Sequence, residues 1–366
     1  MAWTITKKDI PDIALGAKLL SCGGGGDTKT IEHLLLSVMD DQDLIVVKTV
    51  EEIMDEWIVP IGMIGSPVLY MEDIPVGDEG KQILEYYEHH TRKQANALIS
   101  IEIGGMNALV PLLVALQKHL PVIDGDGMGR SFPELDMTTF YGSNIPIPPL
   151  ALKTLHHEVM LTKGDIIQQT KEIIMNDSGY GHFISYGMSG REAKTSMIPG
   201  TLKLVLYLGK ALKSGSRTEK LEKLQAAFEN SVYGKPIFQF KGTIISLQKW
   251  FEKEGLVGRF FVIGRSPFSN RTIQIQFQNE FLCIEEQNGM MFTTPELILL
   301  LDERTLLPCS VSEIEEGQHV LVFVIPAPNM LRTSGMIQLV GPQRFGLPGS
   351  YKPFELEGGK LDEARN

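Results

Sequence analysis

One segment in the first half of the chain restricts the fold more than any other: two short apolar runs separated by a helical stretch. Residues 97–101 and 122–124 have the length and apolar content of buried strands, and residues 107–119 have helical periodicity. A helix of this length between two strands is typical of a right-handed crossover that joins parallel strands. The two strands then end at the same edge of one sheet, which predicts an α/β domain.

The rest of the first half continues this alternation. We predict further helices at residues 10–20, 28–39 and 81–92, and further strands at residues 44–47 and 58–61. Three prolines between residues 144 and 149 exclude a helix there and indicate that the first domain ends soon after them. We therefore expect residues 1–165 to form an α/β domain with a mainly parallel or mixed sheet.

The second half has a different character, because β-rich runs replace the alternation. After helical stretches at residues 199–212 and 219–229, runs typical of strands follow at residues 237–245, 259–263, 272–277, 281–285, 319–324 and 336–339. Glycine and asparagine separate several of these runs, as expected for turns. We predict that residues 166–366 form a β-rich domain, a barrel or sandwich of the α+β class with attached helices.

The charge balance limits the kinds of partner. The 34 lysines and arginines against 45 aspartates and glutamates give a net charge of −11, and no long basic cluster interrupts this acidic background. A nucleic acid or an anionic membrane surface is therefore not expected as a partner. A small-molecule substrate, and a second copy of the chain in a homo-oligomer, are the partners that remain.

Cysteine usage and hydropathy indicate the compartment. The three cysteines, Cys22, Cys283 and Cys309, are widely spaced and include no CxxC pair. This usage is typical of a reducing compartment, and the spacing does not match a zinc site. The N-terminus lacks the apolar core of a secretory signal. Polar residues interrupt the most apolar stretch, residues 107–123, so that it is too short to span a membrane. We expect a cytoplasmic protein.

Four consecutive glycines lie between two predicted helices, and we call Gly23, Gly24, Gly25 and Gly26 the glycine run. Such a run lets the backbone approach a ligand closely and turn its N–H groups toward an anion or a carbonyl oxygen. Asp27 follows as the predicted N-cap of the next helix. The positive N-terminal end of that helix would favour the same anion or carbonyl oxygen. The alternative is a flexible turn. The spacing matches no nucleotide-binding motif and the sequence has no haem signature, so any cofactor stays unassigned.

Cys22 precedes the glycine run and is a candidate nucleophile. A thiol beside a helix N-terminus can have a lowered pKa and attack as the thiolate. A buried free cysteine, in contrast, behaves as a small hydrophobic residue. Both roles stay open, because the sequence predicts no histidine partner for the thiol.

Two polar motifs follow the strands of the crossover. Their candidate residues are, in chain order, Glu102, Gly104, Gly105, Asn107, Asp124 and Asp126. Because ligands of open α/β sheets bind outside the carboxyl ends of the strands, we expect the three carboxylates to share one cleft. There they could act as general acid and base or hold a divalent cation. The alternative is that the two aspartates cap turns.

Arg130 follows the second motif. Its planar guanidinium group would bind a carboxylate, imide or carbonyl group of a ligand. It could equally pair with Glu134, four residues later in a predicted helical turn, and would then be structural.

A third polar motif lies in the second half, where Gln278 and Glu280 alternate with Phe277 and Asn279 along a predicted strand. A satisfied turn at Asn279 is the simpler interpretation of this motif.

Taken together, these motifs resemble the S-methyl thiohydantoin desulfurase domain family. The most specific matches are Gly23-Gly-Gly-Gly-Asp27, Glu102-Ile-Gly-Gly-Met-Asn107 and Asp124-Gly-Asp-Gly-Met-Gly-Arg130-Ser-Phe-Pro-Glu134. In the second half, Pro199-Gly-Thr201, Phe277-Gln-Asn-Glu280 and Pro295-Glu-Leu-Ile298 are similar to the family. The resemblance covers nearly the whole chain, and it implies an N-terminal α/β domain and a β-rich C-terminal domain.

The resemblance also implies an activity, the hydrolysis of an S-methylated thiohydantoin to a hydantoin and methanethiol. Family members often carry threonine in place of Cys22, which argues against an obligatory thiol nucleophile and favours direct attack by water. Members also occur beside, or fused to, hydantoinase- or oxoprolinase-type proteins. A hydrolase acting on a small cyclic amide-like ring is therefore the expected function, and a non-catalytic partner of a hydantoinase-type enzyme is the alternative.

Attack by water assigns roles to the candidate residues. Asp126 is the expected base, and Glu102 is the expected proton donor if burial raises its pKa. Arg130 and the backbone amides of Gly104 and Gly105 would hold the ring and the charge that develops on it.

Overall fold

The first sheet is mixed and gathers ten strands from the described part of the chain. The computed structural model describes residues 2–252, 255–286 and 289–353. The strands of the first sheet are β1 (Trp3–Ile5), β2 (Ile45–Lys48), β3 (Trp57–Gly65), β4 (Ala97–Ser100), β5 (Val122–Asp126), β6 (Leu150–Lys153), β7 (Glu158–Leu161), β8 (Tyr180–Ile184), β9 (Met188–Ser189) and β10 (Ile198–Pro199).

The centre of this sheet is parallel and its flanks are antiparallel. The strand order is β1-β2-β5-β4-β3-β8-β6-β7, with β10 paired to β5 and β9 paired to β3. Strands β2, β5, β4 and β3 are parallel neighbours, whereas β1 and β8 pair antiparallel with β2 and β3. The α/β prediction with a mixed sheet is confirmed.

Eleven α-helices of the described residues accompany the strands. They are α1 (Ile10–Leu20), α2 (Lys29–Val38), α3 (Pro67–Glu72), α4 (Glu79–Thr91), α5 (Val110–Lys118), α6 (Thr139–Gly142), α7 (Ile166–Met175), α8 (Gly190–Ser196), α9 (Thr201–Lys213), α10 (Arg217–Glu229) and α11 (Ser334–Val340). Short 3₁₀ helices lie at Lys7–Asp9, Val50–Glu52, Gly105–Ala108, Asn329–Arg332 and Pro342–Phe345. No helix in the described ranges is long and apolar enough to cross a membrane.

The predicted crossover has the expected form. Strands β4 and β5 are fully buried and parallel, and α5 connects them with a proline in its first turn and a left-handed residue, His119, at its end. A 3₁₀ turn precedes α5, and β5 continues two residues beyond its predicted end. Because Ser100 is the register partner of Asp126, the loop after β4 starts beside the last residue of β5.

The second sheet is antiparallel throughout and curls into a half-barrel. Its strands are β11 (Phe238–Glu252), β12 (Gly255–Gly264), β13 (Thr272–Gln278), β14 (Glu280–Glu286), β15 (Gly289–Thr293), β16 (Leu297–Asp302) and β17 (His319–Ile325), in the spatial order β15-β14-β13-β12-β11-β17-β16. Alternate residues of β13, namely Ile273, Ile275 and Phe277, are buried in an aromatic-rich core. The prediction of a β-rich second half is confirmed.

One predicted strand is wrong. Residues 336–339 belong to helix α11, whose N-cap residue Thr333 accepts a hydrogen bond from the Met336 backbone N–H at 3.3 Å. Met336 and Val340 lie four residues apart, and both are buried on one side of this helix. An apolar run of only four residues does not distinguish a strand from a buried helical turn.

The chain adds strands to the first sheet after residue 165, near which the sequence places the domain boundary. Strand β8 pairs antiparallel with β3 and β6, and β10 pairs with β5. Strand β8 was not predicted, because the glycine and histidine in Tyr-Gly-His-Phe-Ile hide its apolar pattern. The boundary itself remains a prediction, and residues 354–366 of the predicted second domain lie outside the described residues.

Both halves of the chain meet along α1 and the loop that follows it. Helix α1 packs on α9 so closely that Gly16 faces the Val205 carbonyl and Gly209 faces the Asp12 carbonyl, with no space for a side chain at either glycine. The loop after α1 is fastened to the second sheet, because the Phe281 N–H donates to the Cys22 carbonyl at 2.7 Å. The start of β14 therefore lies beside the glycine run.

Candidate functional site

The loop after β4 buries the carboxyl group of Glu102. Its Oε1 atom accepts a hydrogen bond from Asn107 Nδ2 at 2.6 Å, and its Oε2 atom accepts one from the Phe132 N–H at 3.2 Å. Asn107 is itself held by the backbone of Met63, to which it donates and from which it accepts. Asn107 therefore positions Glu102. Burial, together with the negative charge of Asp126, raises the pKa of Glu102 to about 8.

Asp126 is completely buried at the end of β5. Its Oδ2 atom accepts three backbone hydrogen bonds, from Ile103, Met128 and Gly129, at 2.7–2.9 Å. Its Oδ1 atom has no hydrogen-bond partner among the described residues. The Thr201 hydroxyl is close enough to lower the pKa of this carboxyl but makes no hydrogen bond of good geometry with it. Burial is the larger effect and raises the pKa of Asp126 to about 6.

Asp124 points toward a helix end rather than toward Glu102. Its Oδ1 atom accepts a hydrogen bond from the Lys203 N–H at 3.0 Å, in the first turn of α9, and burial raises its pKa. It also borders a surface groove of about 830 Å³ that is lined by α9 and α10. This contact caps the first turn of a helix, whereas the alternative left open by the sequence is that the aspartates cap turns. A catalytic role for Asp124 stays a prediction.

The glycine run packs directly on the loop after β4. The Met106 N–H donates to the Gly25 carbonyl at 2.9 Å, and a Cβ atom on Gly105 would overlap that same carbonyl. Gly26 contacts Pro67, the first residue of α3. The N-cap of α2 is Thr28 rather than the predicted Asp27, although Asp27 Oδ1 accepts a hydrogen bond from the Lys29 N–H at 3.1 Å. The glycine run and the loop after β4, which carries Glu102, are therefore neighbours.

Two buried polar residues complete this cluster and were not among the predicted site residues. The Ser131 hydroxyl lies between Gly25 and Gly104, and the Glu280 carboxyl lies against Gly24, where a Cβ atom would overlap it. Ser131 Oγ and Glu280 Oε2 have no hydrogen-bond partner within the described ranges. Burial raises the pKa of Glu280 to about 8. A signal for Glu280 exists in the Phe277-Gln-Asn-Glu280 motif, but the sequence does not reveal its partners.

Asn279 makes the turn that the sequence analysis favours as the simpler interpretation of that motif. Its φ of 59° is left-handed, and its side-chain oxygen accepts a hydrogen bond from the Leu256 N–H at 3.0 Å.

Arg130 binds two backbone carbonyls of the second domain and one of the first. Its guanidinium group donates to Glu296 O at 2.7 Å, to Phe281 O at 3.0 Å and to Ser131 O at 3.3 Å, and it is inaccessible to solvent. The alternative pairing with Glu134 is not seen, because Glu134 bonds Lys171 at 2.6 Å instead. Arg130 therefore joins the two domains, and its contact with a substrate stays a prediction.

Cys22 is buried beside Arg130 and Glu280. Burial raises the pKa of the Cys22 thiol to about 11, although the positive charge of Arg130 opposes this effect. The thiol is therefore protonated at neutral pH, which is the opposite of what an activated nucleophile needs.

The donor set does not fit a metal ion. No group of three or more histidine, cysteine, aspartate or glutamate side chains in the described part of the chain could hold one. Glu102 and Asp126 are instead engaged by Asn107 and by backbone N–H groups.

Comparisons with known proteins agree with this architecture. Two sequence profiles match the chain: the S-Me-THD-like N-terminal domain at residues 8–164, and the S-Me-THD-like C-terminal domain at residues 166–354. A crystal structure of a protein from Chromobacterium violaceum has the same fold, with a TM-score of 0.78 and 22% sequence identity over 96% of this chain and 100% of that chain. No curated protein matches the sequence. Because the two profiles together span most of its length, the chain belongs to the S-Me-THD-like domain family.

Proposed function

We propose that the protein is a hydrolase that converts a small S-methylated thiohydantoin ring and water into a hydantoin and methanethiol. Family membership supports this class of reaction. The observation that carries the proposal is a pair of buried carboxyl groups at one edge of the first sheet, Glu102 and Asp126, whose pKa values lie on opposite sides of neutrality, about 8 and about 6.

These pKa values assign an acid and a base. At neutral pH Asp126 is mainly a carboxylate, its Oδ2 atom is held by backbone N–H groups, and its Oδ1 atom is left to accept a proton. Glu102 is mainly protonated at the same pH and can give a proton to a leaving group. The two residues thus hold the protonation states that a hydrolysis needs before substrate arrives.

The assignment of Asp126 as base and Glu102 as acid defines which bonds form and which break. The water oxygen bonds to the ring carbon that carries the methylthio group, and Asp126 takes one proton of the water. The carbon–sulfur bond breaks, and the departing thiolate takes a proton from Glu102 to give methanethiol. The second water proton moves to the ring nitrogen as the carbonyl forms, and proton transfer from Asp126 to Glu102 restores both groups.

The test is methanethiol release from an S-methyl thiohydantoin by the wild type, Asp126→Asn, Glu102→Gln and Cys22→Ser. Loss of a positioned acid or base typically costs about 100- to 10,000-fold in rate, so both carboxyl variants should lose most turnover. Cys22→Ser should keep the turnover rate of the wild type. Asp136→Asn, which removes a surface partner of Arg344, is the matched control.

Two results would contradict this assignment. Wild-type rates in Asp126→Asn together with an inactive Cys22→Ser would indicate a covalent thiol mechanism. No release by any of the proteins would favour the alternative function.

The alternative is a non-catalytic partner of a hydantoinase- or oxoprolinase-type enzyme. The observation that favours it is an exposed apolar loop after α3, in which Ile74 and Val76 are 82% and 79% exposed. The first residue of helix α3, Pro67, contacts Gly26, and this loop follows the opposite end of the same helix. Turnover that requires both proteins, and that Ile74→Ser with Val76→Ser abolishes, would support the alternative.

A further inference from the structure

Glu280 is a residue of the second domain that is built into the site of the first. It opens strand β14 immediately after the left-handed turn at Asn279, and it is 4% exposed. The next residue, Phe281, donates its N–H to the Cys22 carbonyl at 2.7 Å. This bond fixes the start of β14 against the glycine run and places the Glu280 carboxyl against Gly24, where a Cβ atom would overlap it.

The positive charge of the buried Arg130 acts on this carboxyl group, but no hydrogen bond of the described residues holds it. Its Oε2 atom has no hydrogen-bond partner in the described part of the chain, although buried polar atoms almost always have one. Arg130 is the nearby cation, but its hydrogen bonds go to three backbone carbonyls rather than to Glu280. The buried Ser131 hydroxyl lies close to Glu102, whose pKa it lowers, but makes no hydrogen bond of good geometry among the described residues. A buried carboxyl oxygen without a hydrogen-bond partner, in a cluster of buried polar residues, indicates that a ligand supplies the hydrogen bond.

We propose that Glu280 binds the amide edge of the ring substrate, with one carboxyl oxygen accepting from a ring N–H and the other donating to the adjacent ring C=O. In a small ring the amide is cis, so its N–H and C=O point to the same side. A carboxylic acid presents a donor and an acceptor side by side at a matching spacing. The proposal rests on the function proposed above and adds its substrate class, rings with a cis-amide edge.

The protonation state of Glu280 agrees with this geometry. Burial raises its pKa to about 8, so the group is an acid with an O–H to donate at neutral pH. The groups that face it are Arg130, Glu102 and Cys22. Of these, Glu102 titrates in the same range, so a variant is needed to separate the two carboxyl groups.

The experiment measures binding of hydantoin by calorimetry to the full chain, as wild type, Glu280→Gln, Glu280→Met and Glu285→Gln. The glutamine amide keeps a donor beside an acceptor, so Glu280→Gln should bind within a few-fold of the wild type. Glu280→Met keeps the length but loses both hydrogen bonds, which should weaken binding about 10- to 100-fold. Glu285, on the same strand, bonds Gln274 and Gln276 and serves as the control.

A pH series makes the test independent of how well the methionine variant folds. Wild-type binding should weaken as pH rises through about 8, since the ionised carboxylate no longer donates. Glu280→Gln should lose that part of the dependence and keep only the part due to Glu102. Wild-type affinity in Glu280→Met, or an unchanged pH profile in Glu280→Gln, would overturn the proposal, as would the absence of hydantoin binding by the wild type.

Methanethiol release separates this inference from the proposed function. If the wild type releases methanethiol and Glu280→Met has an unchanged KM, the function stands and the role of Glu280 is wrong. If hydantoin binding depends on Glu280 while no protein releases methanethiol, the binding role stands and the hydrolase proposal is wrong.

Discussion

Glu102, Asp126 and Glu280 show how surroundings set the charge of a side chain. Each is a carboxyl group that would be ionised in water at neutral pH, and burial raises the pKa of each, to about 8, about 6 and about 8. Asp126 is raised least because three backbone N–H groups stabilise its charge. At the residue scale, burial opposed by hydrogen bonds thus produces neighbouring groups in different protonation states.

These raised pKa values predict that the protein is most stable in mild acid. In the unfolded chain Glu102 ionises near its ordinary pKa of 4.5, whereas in the folded chain it holds its proton to about 8. The favourable contribution is fully present below the unfolded pKa and is lost as pH rises through the folded pKa. We expect the wild-type Tm to fall by several degrees from about pH 5 to about pH 8.5, since about 1 kcal/mol shifts Tm by about 2–4 °C in somewhat smaller chains.

The measurement is a series of thermal melts of the wild type and Glu102→Gln. The glutamine variant removes one titrating group, so its Tm should fall less steeply over this range. An equally steep fall in both proteins would mean that Glu102 does not hold its proton in the folded state.

At the scale of elements, the site depends on how closely two loops approach each other. The glycine run and the loop after β4 meet with backbone against backbone, and Gly25 and Gly105 both have positive φ, 69° at each. Any side chain at Gly105 would push the two loops apart. Loop contact at this point therefore requires glycine for space as well as for conformation.

This contact predicts unequal effects of two similar substitutions. Gly105 and Gly200 have comparable φ values, 69° and 77°, but a Cβ atom at Gly200 meets nothing within 4 Å. Gly200→Ala should cost only the left-handed backbone strain, about 1–2 kcal/mol. Gly105→Ala adds overlap with the Gly25 carbonyl, about 1–3 kcal/mol more. Urea unfolding of both variants measures the difference, and equal losses would show that the loops move apart freely.

At the scale of the whole molecule, contacts between the domains close the site. Arg130 extends from the end of the first sheet to the carbonyls of Phe281 and Glu296. Near the C-terminus of the described chain, Arg344 returns to bond Asp136 at 3.2 Å. The first contact is buried and the second is partly exposed. Both contacts join the two halves of the chain. Because only the first is shielded from water, we expect the two to contribute differently to the free energy of unfolding.

Matched substitutions of these two arginines test that difference. Arg130→Met leaves buried carbonyl oxygens without donors, which should lower the free energy of unfolding by about 2–5 kcal/mol. Arg344→Met removes a surface ion pair and should cost about 0–1 kcal/mol. Urea titrations that give similar losses for both variants would contradict the assignment of Arg130 as a buried contact worth more than the surface pair.

The sequence by itself determined the class of each domain and the position of Glu102 and Asp126 at one edge of the first sheet. Both follow from local periodicity, because a strand, a helix and a strand of these lengths place the two carboxyl ends at one edge. Periodicity failed where apolar runs were short, as at residues 336–339, or interrupted by glycine and histidine, as in Tyr180–Ile184.

Tertiary structure alone decided the rest of the candidate site. Glu280 reaches the glycine run only because the start of β14 is hydrogen-bonded to the Cys22 carbonyl. Arg130 binds backbone carbonyls rather than Glu134. Asp124 caps α9, although the sequence grouped it with Asp126. Contacts of this kind join residues that are far apart in the chain. The atoms that a side chain binds in them are often backbone atoms, which every residue carries. No local pattern records them, so they become visible only once the two domains are packed together.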